Sequence, residues 1–129
     1  MRFLCIVLMT ASMVVPAVAE APPKLPATAK KLTGPEITAL YDGSSVNWHN
    51  YAANGTGTAK YDLKQNKQDV TYNFGGKTGS FTGKARVKGD TFCFVPPKAK
   101  EVCESVYTDG NDIYEVSSKG IVDGKNQKQ

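Results

Sequence analysis

The sequence predicts a mainly β fold: a small antiparallel up-and-down barrel of seven or eight strands, preceded by one short helix, with a β-sandwich as the alternative. Three observations carry this expectation. Short runs of alternating apolar and polar residues recur from Val46 onward, with turn signals about every 8–12 residues. One long run, Gly79–Lys88, places glycines on its apolar face, which favours the strong coiling of a closing barrel. Cys93 and Cys103 flank a proline loop, Pro96–Lys100, as a cross-strand pair beside a hairpin would. Closure into a barrel also removes exposed strand edges.

The elements follow in order. Thr33-Gly34-Pro35-Glu36 combines a capping residue, a first-turn proline and an acid near the helix dipole. Ile37, Leu40 and Tyr41 then recur at helical spacing until Asp42-Gly43 stops a helix of about two turns. From Val46 to Tyr51, Val46 and Trp48 share one face while Asn47, His49 and Tyr51 share the other. Asn54-Gly55 marks a turn, and Thr58–Leu63 points Ala59, Tyr61 and Leu63 one way. Val70, Tyr72 and Phe74 alternate until Gly75-Gly76. In Gly79–Lys88, Phe81, Ala85 and Val87 join the glycines opposite Lys84, Arg86 and Lys88. Thr91–Val95, Glu101–Tyr107 and Ile113–Ser117 complete the strands, and Gly120-Ile121-Val122 is the candidate for a last short one. Pairing Cys93 with Cys103 sets Phe94 opposite Val102 and Phe92 opposite Glu104.

Address comes from the N-terminus. Arg2, the apolar run Phe3–Val15, Pro16 and the small-x-small triplet Ala17-Val18-Ala19 form a secretory signal, with cleavage expected after Ala19. The run is too short and interrupted to span ~30 Å of hydrocarbon, so no transmembrane segment is expected in the mature protein. The expected location is the periplasm or the exterior. Removing residues 1–19 takes Cys5 and leaves Cys93 and Cys103, which an exported protein joins as a disulfide. Residues 20–32 read as a flexible Pro/Ala/Lys linker, 33–122 as a single β domain, and 123–129 as a disordered tail.

The formal charge is +4, but residues 34–122 hold ten basic and ten acidic residues. The excess belongs to the ends, so nucleic acid is not an expected partner. No constellation for catalysis, a cofactor or a metal is present: His49 is the single histidine, and the two cysteines are far from CxxC spacing. Gly75-Gly76-Lys77-Thr78-Gly79 lacks phosphate-loop spacing and leads into a strand. Asn54-Gly55-Thr56 matches a glycosylation acceptor and, equally, a hairpin turn.

The candidate ligand or partner contacts are Trp48, His49 and Tyr51, the densest polar-aromatic cluster, together with Lys119. Lys84, Arg86 and Lys88 put three cations on one strand face, which suits either an acidic partner or a solvated wall.

Leu32-Thr33-Gly34-Pro35-Glu36-Ile37, Leu40-Tyr41-Asp42-Gly43, Gly83–Phe94 (GKARVKGDTFCF) and a second cysteine before Tyr107 resemble a group of small exported Gram-negative proteins. The group is known mainly as a domain of unknown function. Ala85 stands where a tryptophan is common in it. The resemblance implies a periplasmic barrel-like fold and no activity. Tyr114-Glu115-Val116-Ser117-Ser118-Lys119-Gly120 is similar to the Tyr-x4-Lys-Gly segment of periplasmic inhibitors of c-type lysozyme, whose lysine enters the enzyme's acidic cleft. Ser105-Val106-Tyr107 matches their upstream serine element only in part.

The leading expectation is a non-enzymatic envelope protein, a monomer, that binds a protein or small-molecule partner. The alternatives are a secreted inhibitor of an enzyme such as lysozyme, acting through Lys119 and the Pro96–Lys100 loop, and a lipocalin-like carrier of an apolar ligand.

Overall fold

The computed structural model describes residues 20–129. The expected signal peptide, with Cys5 and the Ala19 cleavage point, lies outside the described residues. Capping chemistry starts the helix α1, Gly34–Tyr41: the Thr33 hydroxyl accepts from the Glu36 N–H, and the Glu36 carboxylate accepts from the Thr33 N–H. The helix shows Ile37 and Tyr41 inward, and both are fully buried. Its ends are fastened to neighbouring turns. The Gly34 N–H donates to Asp90 at 2.7 Å, and Asp42 accepts from the Leu63 N–H at 3.0 Å.

The strands are β1 Lys30–Lys31, β2 Ser45–Asn50, β3 Gly55–Asp62, β4 Lys67–Phe74, β5 Lys77–Lys88, β6 Thr91–Phe94, β7 Val102–Asp109, β8 Asp112–Val116 and β9 Val122–Lys128. From β2 to β9 each strand pairs antiparallel with its successor, and β9 returns to β2. The result is a closed eight-stranded up-and-down barrel with one short helix before it, as the alternation predicts. Each of these eight strands has a hydrogen-bonded neighbour on both sides, which rules out the sandwich, although β5 pairs with the shorter β6 only over Ala85–Lys88. The short β1 lies beside β7 where β6 has ended.

The disulfide forms between Cys93 and Cys103, with Cα atoms 4.0 Å apart. The register around it is the expected one, Phe92 opposite Glu104 and Phe94 opposite Val102.

Two boundaries differ from expectation. Residues 123–129 are not a frayed tail: Val122–Lys128 is β9, hydrogen-bonded to β2 on one side and β8 on the other. Its sequence has no apolar alternation because its inward positions are Gly124 and Asn126, and Asn126 is buried in polar contacts. The linker also contributes to the fold. Lys30–Lys31 extends the sheet, Leu32 is buried and donates its N–H to Val106 O at 2.8 Å, and Leu25 packs on the outer cluster Tyr114, Val116 and Val122. Proline keeps most of this segment out of regular structure without keeping it off the barrel.

Because β9 supplies both flanking ladders of the closure, deleting residues 122–129 opens the barrel. The expected outcome is loss of cooperative urea unfolding followed by Trp48 fluorescence. An unchanged transition would mean that the barrel is held without β9.

Candidate functional site

Alternation assigns the barrel interior. Val46 and Trp48 of β2, Ala59 and Tyr61 of β3, Val70 and Tyr72 of β4 and Phe92 and Phe94 of β6 all point inward. At one end the space is filled. Tyr41 of α1 reaches into the lumen and packs on Tyr61 and Phe92, with ring centroids 4.9 and 4.7 Å away. The other end is open, and between the two lies a cavity of about 530 Å³. This is within the usual range of small-molecule sites.

The cavity stays hollow because its large rings lie against the wall. A Cβ at Gly57 would overlap the Trp48 ring and the Thr71 carbonyl, one at Gly55 the Phe74 ring, and one at Gly79 the Tyr72 ring. With no side chain at Gly57, the Trp48 indole crosses β3 and donates Nε1–H to Thr58 O and Thr71 O, both at 3.2 Å. The mouth is framed by Ala53, Phe74, Lys77, Pro96 and Pro97.

Polar groups stand on the β7–β9 side. Glu115 of β8 lines the cavity and is buried. Its Oε1 accepts from the Tyr41 hydroxyl at 2.9 Å and from Asn126 Nδ2 at 2.7 Å. Burial pushes its carboxyl above the ordinary range, and the two donors pull it partly back. Burial raises the Tyr41 hydroxyl well above the usual phenol range, so it stays a donor. Glu104, opposite Phe92 on β7, is 3% exposed, and its Oε2 has no hydrogen-bond partner. Burial first, then the charges of Glu115 and Asp123, push Glu104 up to about 8. Asp123 is the extra residue of a bulge between the Glu115–Gly124 and Val116–Val122 pairs, and burial raises it as well.

The four residues singled out from sequence do not form one site. Trp48 lines the cavity. His49 touches the cavity edge, but its ring turns outward, stacked on Tyr51 with centroids 4.4 Å apart and bonded to Glu20. Tyr51 follows β2 in the next turn, on the outer side with Lys125. Lys119 is exposed in the β8–β9 loop. Of the three strand-face cations, Arg86 makes a two-point bond to Glu101 at 2.8 and 2.7 Å, while Lys84 and Lys88 are exposed. Sequence reasoning missed Tyr41, Glu104, Glu115 and Asn126 as a polar group inside the barrel. One signal was available: the disulfide register already placed an acid, Glu104, opposite an inward Phe92. No helix of the described residues is long and apolar enough to cross a membrane.

Compared with protein-family models, with curated proteins and with solved structures, the chain matches none. The Glu104 carboxyl is protonated more readily folded, at about 8, than at its ordinary value of 4.5. Its contribution to stability is therefore fully present below pH ~4.5 and is lost as pH rises to ~8. Glu104→Gln is expected to raise the urea midpoint near pH ~8.5 and to leave it nearly unchanged near pH ~4. Equal shifts at both pH values would show that Glu104 ionises freely in the folded protein.

Proposed function

We propose that this protein is a non-enzymatic small-molecule carrier of the cell envelope, holding a compact apolar ligand with one hydrogen-bonding group inside its barrel. The observation that carries this reading is the aromatic-walled cavity of about 530 Å³, closed by Tyr41 at one end and open at the other. Burial of an apolar molecule there stabilises the complex by roughly 25 cal/mol per Å² removed from water. Glu115 and Asn126 supply the few polar contacts that orient a ligand in such a site. The envelope location rests on the signal-peptide pattern of residues 1–19. Of the three expectations drawn from the sequence, the carrier is the one that needs an interior wider than its own side chains fill.

Trp48, the single tryptophan, lies on the cavity wall and reports occupancy. The apolar dye N-phenylnaphthylamine is expected to bind in a saturable manner, with dye enhancement and Trp48 quenching following one isotherm. Val70→Trp, which fills the lumen from β4, should weaken dye binding at least tenfold while the barrel stays folded by far-ultraviolet circular dichroism. Undiminished binding in that variant would place the dye outside the cavity and sink the reading.

One observation favours the enzyme-inhibitor alternative as a second reading. Strand parity puts the β6–β7 loop, with Pro96–Lys100, and the β8–β9 loop, with Lys119, at the same end of the barrel. If that end enters the acidic cleft of a lysozyme, Lys119→Ala weakens inhibition more than about tenfold, the scale of a lost charge-assisted contact. An unchanged inhibition constant would discard the assignment.

A further inference from the structure

We propose that the open end of the barrel docks on an anionic phospholipid surface, so that cargo passes between bilayer and cavity without crossing water. Four hairpins surround the mouth. The β4–β5 turn brings Lys77, the β6–β7 loop Lys98 and Lys100, and the β8–β9 loop Lys119; all four are exposed. Three acids lie near this rim. Glu20 is bonded to His49, Glu101 is held by Arg86 in a two-point bond, and Asp123 is half-buried behind the loop. The rim is therefore net positive, although the chain between residues 34 and 122 is balanced.

Apolar side chains are concentrated at the same end. Among the described residues the exposed large hydrophobics are Phe74, Val102 and Ile121. Phe74 precedes the β4–β5 turn, Val102 follows the β6–β7 loop, and Ile121 ends the β8–β9 loop. Three hairpins thus each offer an apolar side chain and at least one lysine around a single opening. That combination matches an interface that seats apolar groups at the headgroup–acyl boundary while cations meet anionic headgroups. A bilayer fits this rim better than an acidic protein does, because the rim encircles an apolar cavity. Seated on lipid, the mouth faces the solvent in which an apolar ligand dissolves. The cargo half of the inference rests on the carrier reading; the docking half stands on the rim alone.

The test is flotation of the mature protein with phosphatidylcholine vesicles, with and without roughly one-third phosphatidylglycerol. The expected result is binding to the anionic vesicles, loss of binding in high salt and little binding to pure phosphatidylcholine. Lys98→Glu combined with Lys119→Glu should weaken binding by roughly tenfold or more. Lys64→Glu with Lys88→Glu makes the same charge change toward the closed end and should leave binding within about twofold. Ile121→Ser should weaken binding while preserving its salt dependence. No flotation with anionic vesicles overturns the proposal, as does an equal loss in the two charge-reversed variants, which would reduce the effect to overall charge. Dye binding measured without vesicles separates the two readings. Dye bound without flotation overturns docking and leaves the carrier, whereas flotation without dye binding supports docking and removes the cargo.

Discussion

Everything in this structure depends on the pairing of β9 with β2. Seven consecutive hairpin pairings need only local chain reversal, but the eighth joins strands separated by most of the domain. Without it, β2 and β9 would present open backbone donors and acceptors along their lengths. With it, the strand number fixes a barrel just wide enough to hold side chains or one small ligand. The sequence of β9, VDGKNQK, has little strand preference of its own. Two backbone ladders hold it extended, and this is a clear case of tertiary context overriding local propensity.

A buried polar group reinforces the closure. The Tyr41 hydroxyl, Glu115 Oε1 and Asn126 Nδ2 hydrogen-bond among themselves and so link α1, β8 and β9. Leaving one such buried partner unpaired costs about 1–3 kcal/mol, so the network penalises any register in which these residues do not meet. The helix is therefore more than a plug. Its capping box fixes where it starts, the Asp90 and Asp42 bonds fix it over the closed end, and Tyr41 carries its position into the lumen. Glu104 is the contrasting case, a buried acid on the same wall with an oxygen that no protein group satisfies.

Much of the fold was legible because its signals were local. The Thr33–Glu36 cap, the inward Val46–Trp48 pair and the Phe92–Glu104 register each follow from a few adjacent residues. What was not legible depended on distant partners. Along β8, Tyr114 and Val116 form the more apolar face, yet they point outward, under Leu25 of the N-terminal segment. Glu115, polar between them, points inward on the same face as Ile113. Hydrophobicity alone therefore inverts this strand, and the cover that Leu25, Tyr51 and Tyr107 give its outer face explains why. The same gap hid β9, whose inward Asn126 makes sense only once Glu115 and Tyr41 are beside it.

Whether the barrel is filled or hollow is a finer question than its topology, and cross-strand neighbours decide it. At the closed end three rings, Tyr41, Tyr61 and Phe92, meet one another and occupy the lumen. Toward the mouth the rings are as large, but each faces a glycine on an adjacent strand: Trp48 meets Gly57, Phe74 meets Gly55, and Tyr72 meets Gly79. A glycine opposite an aromatic lets the ring lie flat on the backbone, and the volume it would have filled stays free. The inward Gly79 of β5 thus does more than ease coiling. Together with Gly55 and Gly57 it moves aromatic mass from the lumen to its wall, which makes one end of the barrel a core and the other a cavity.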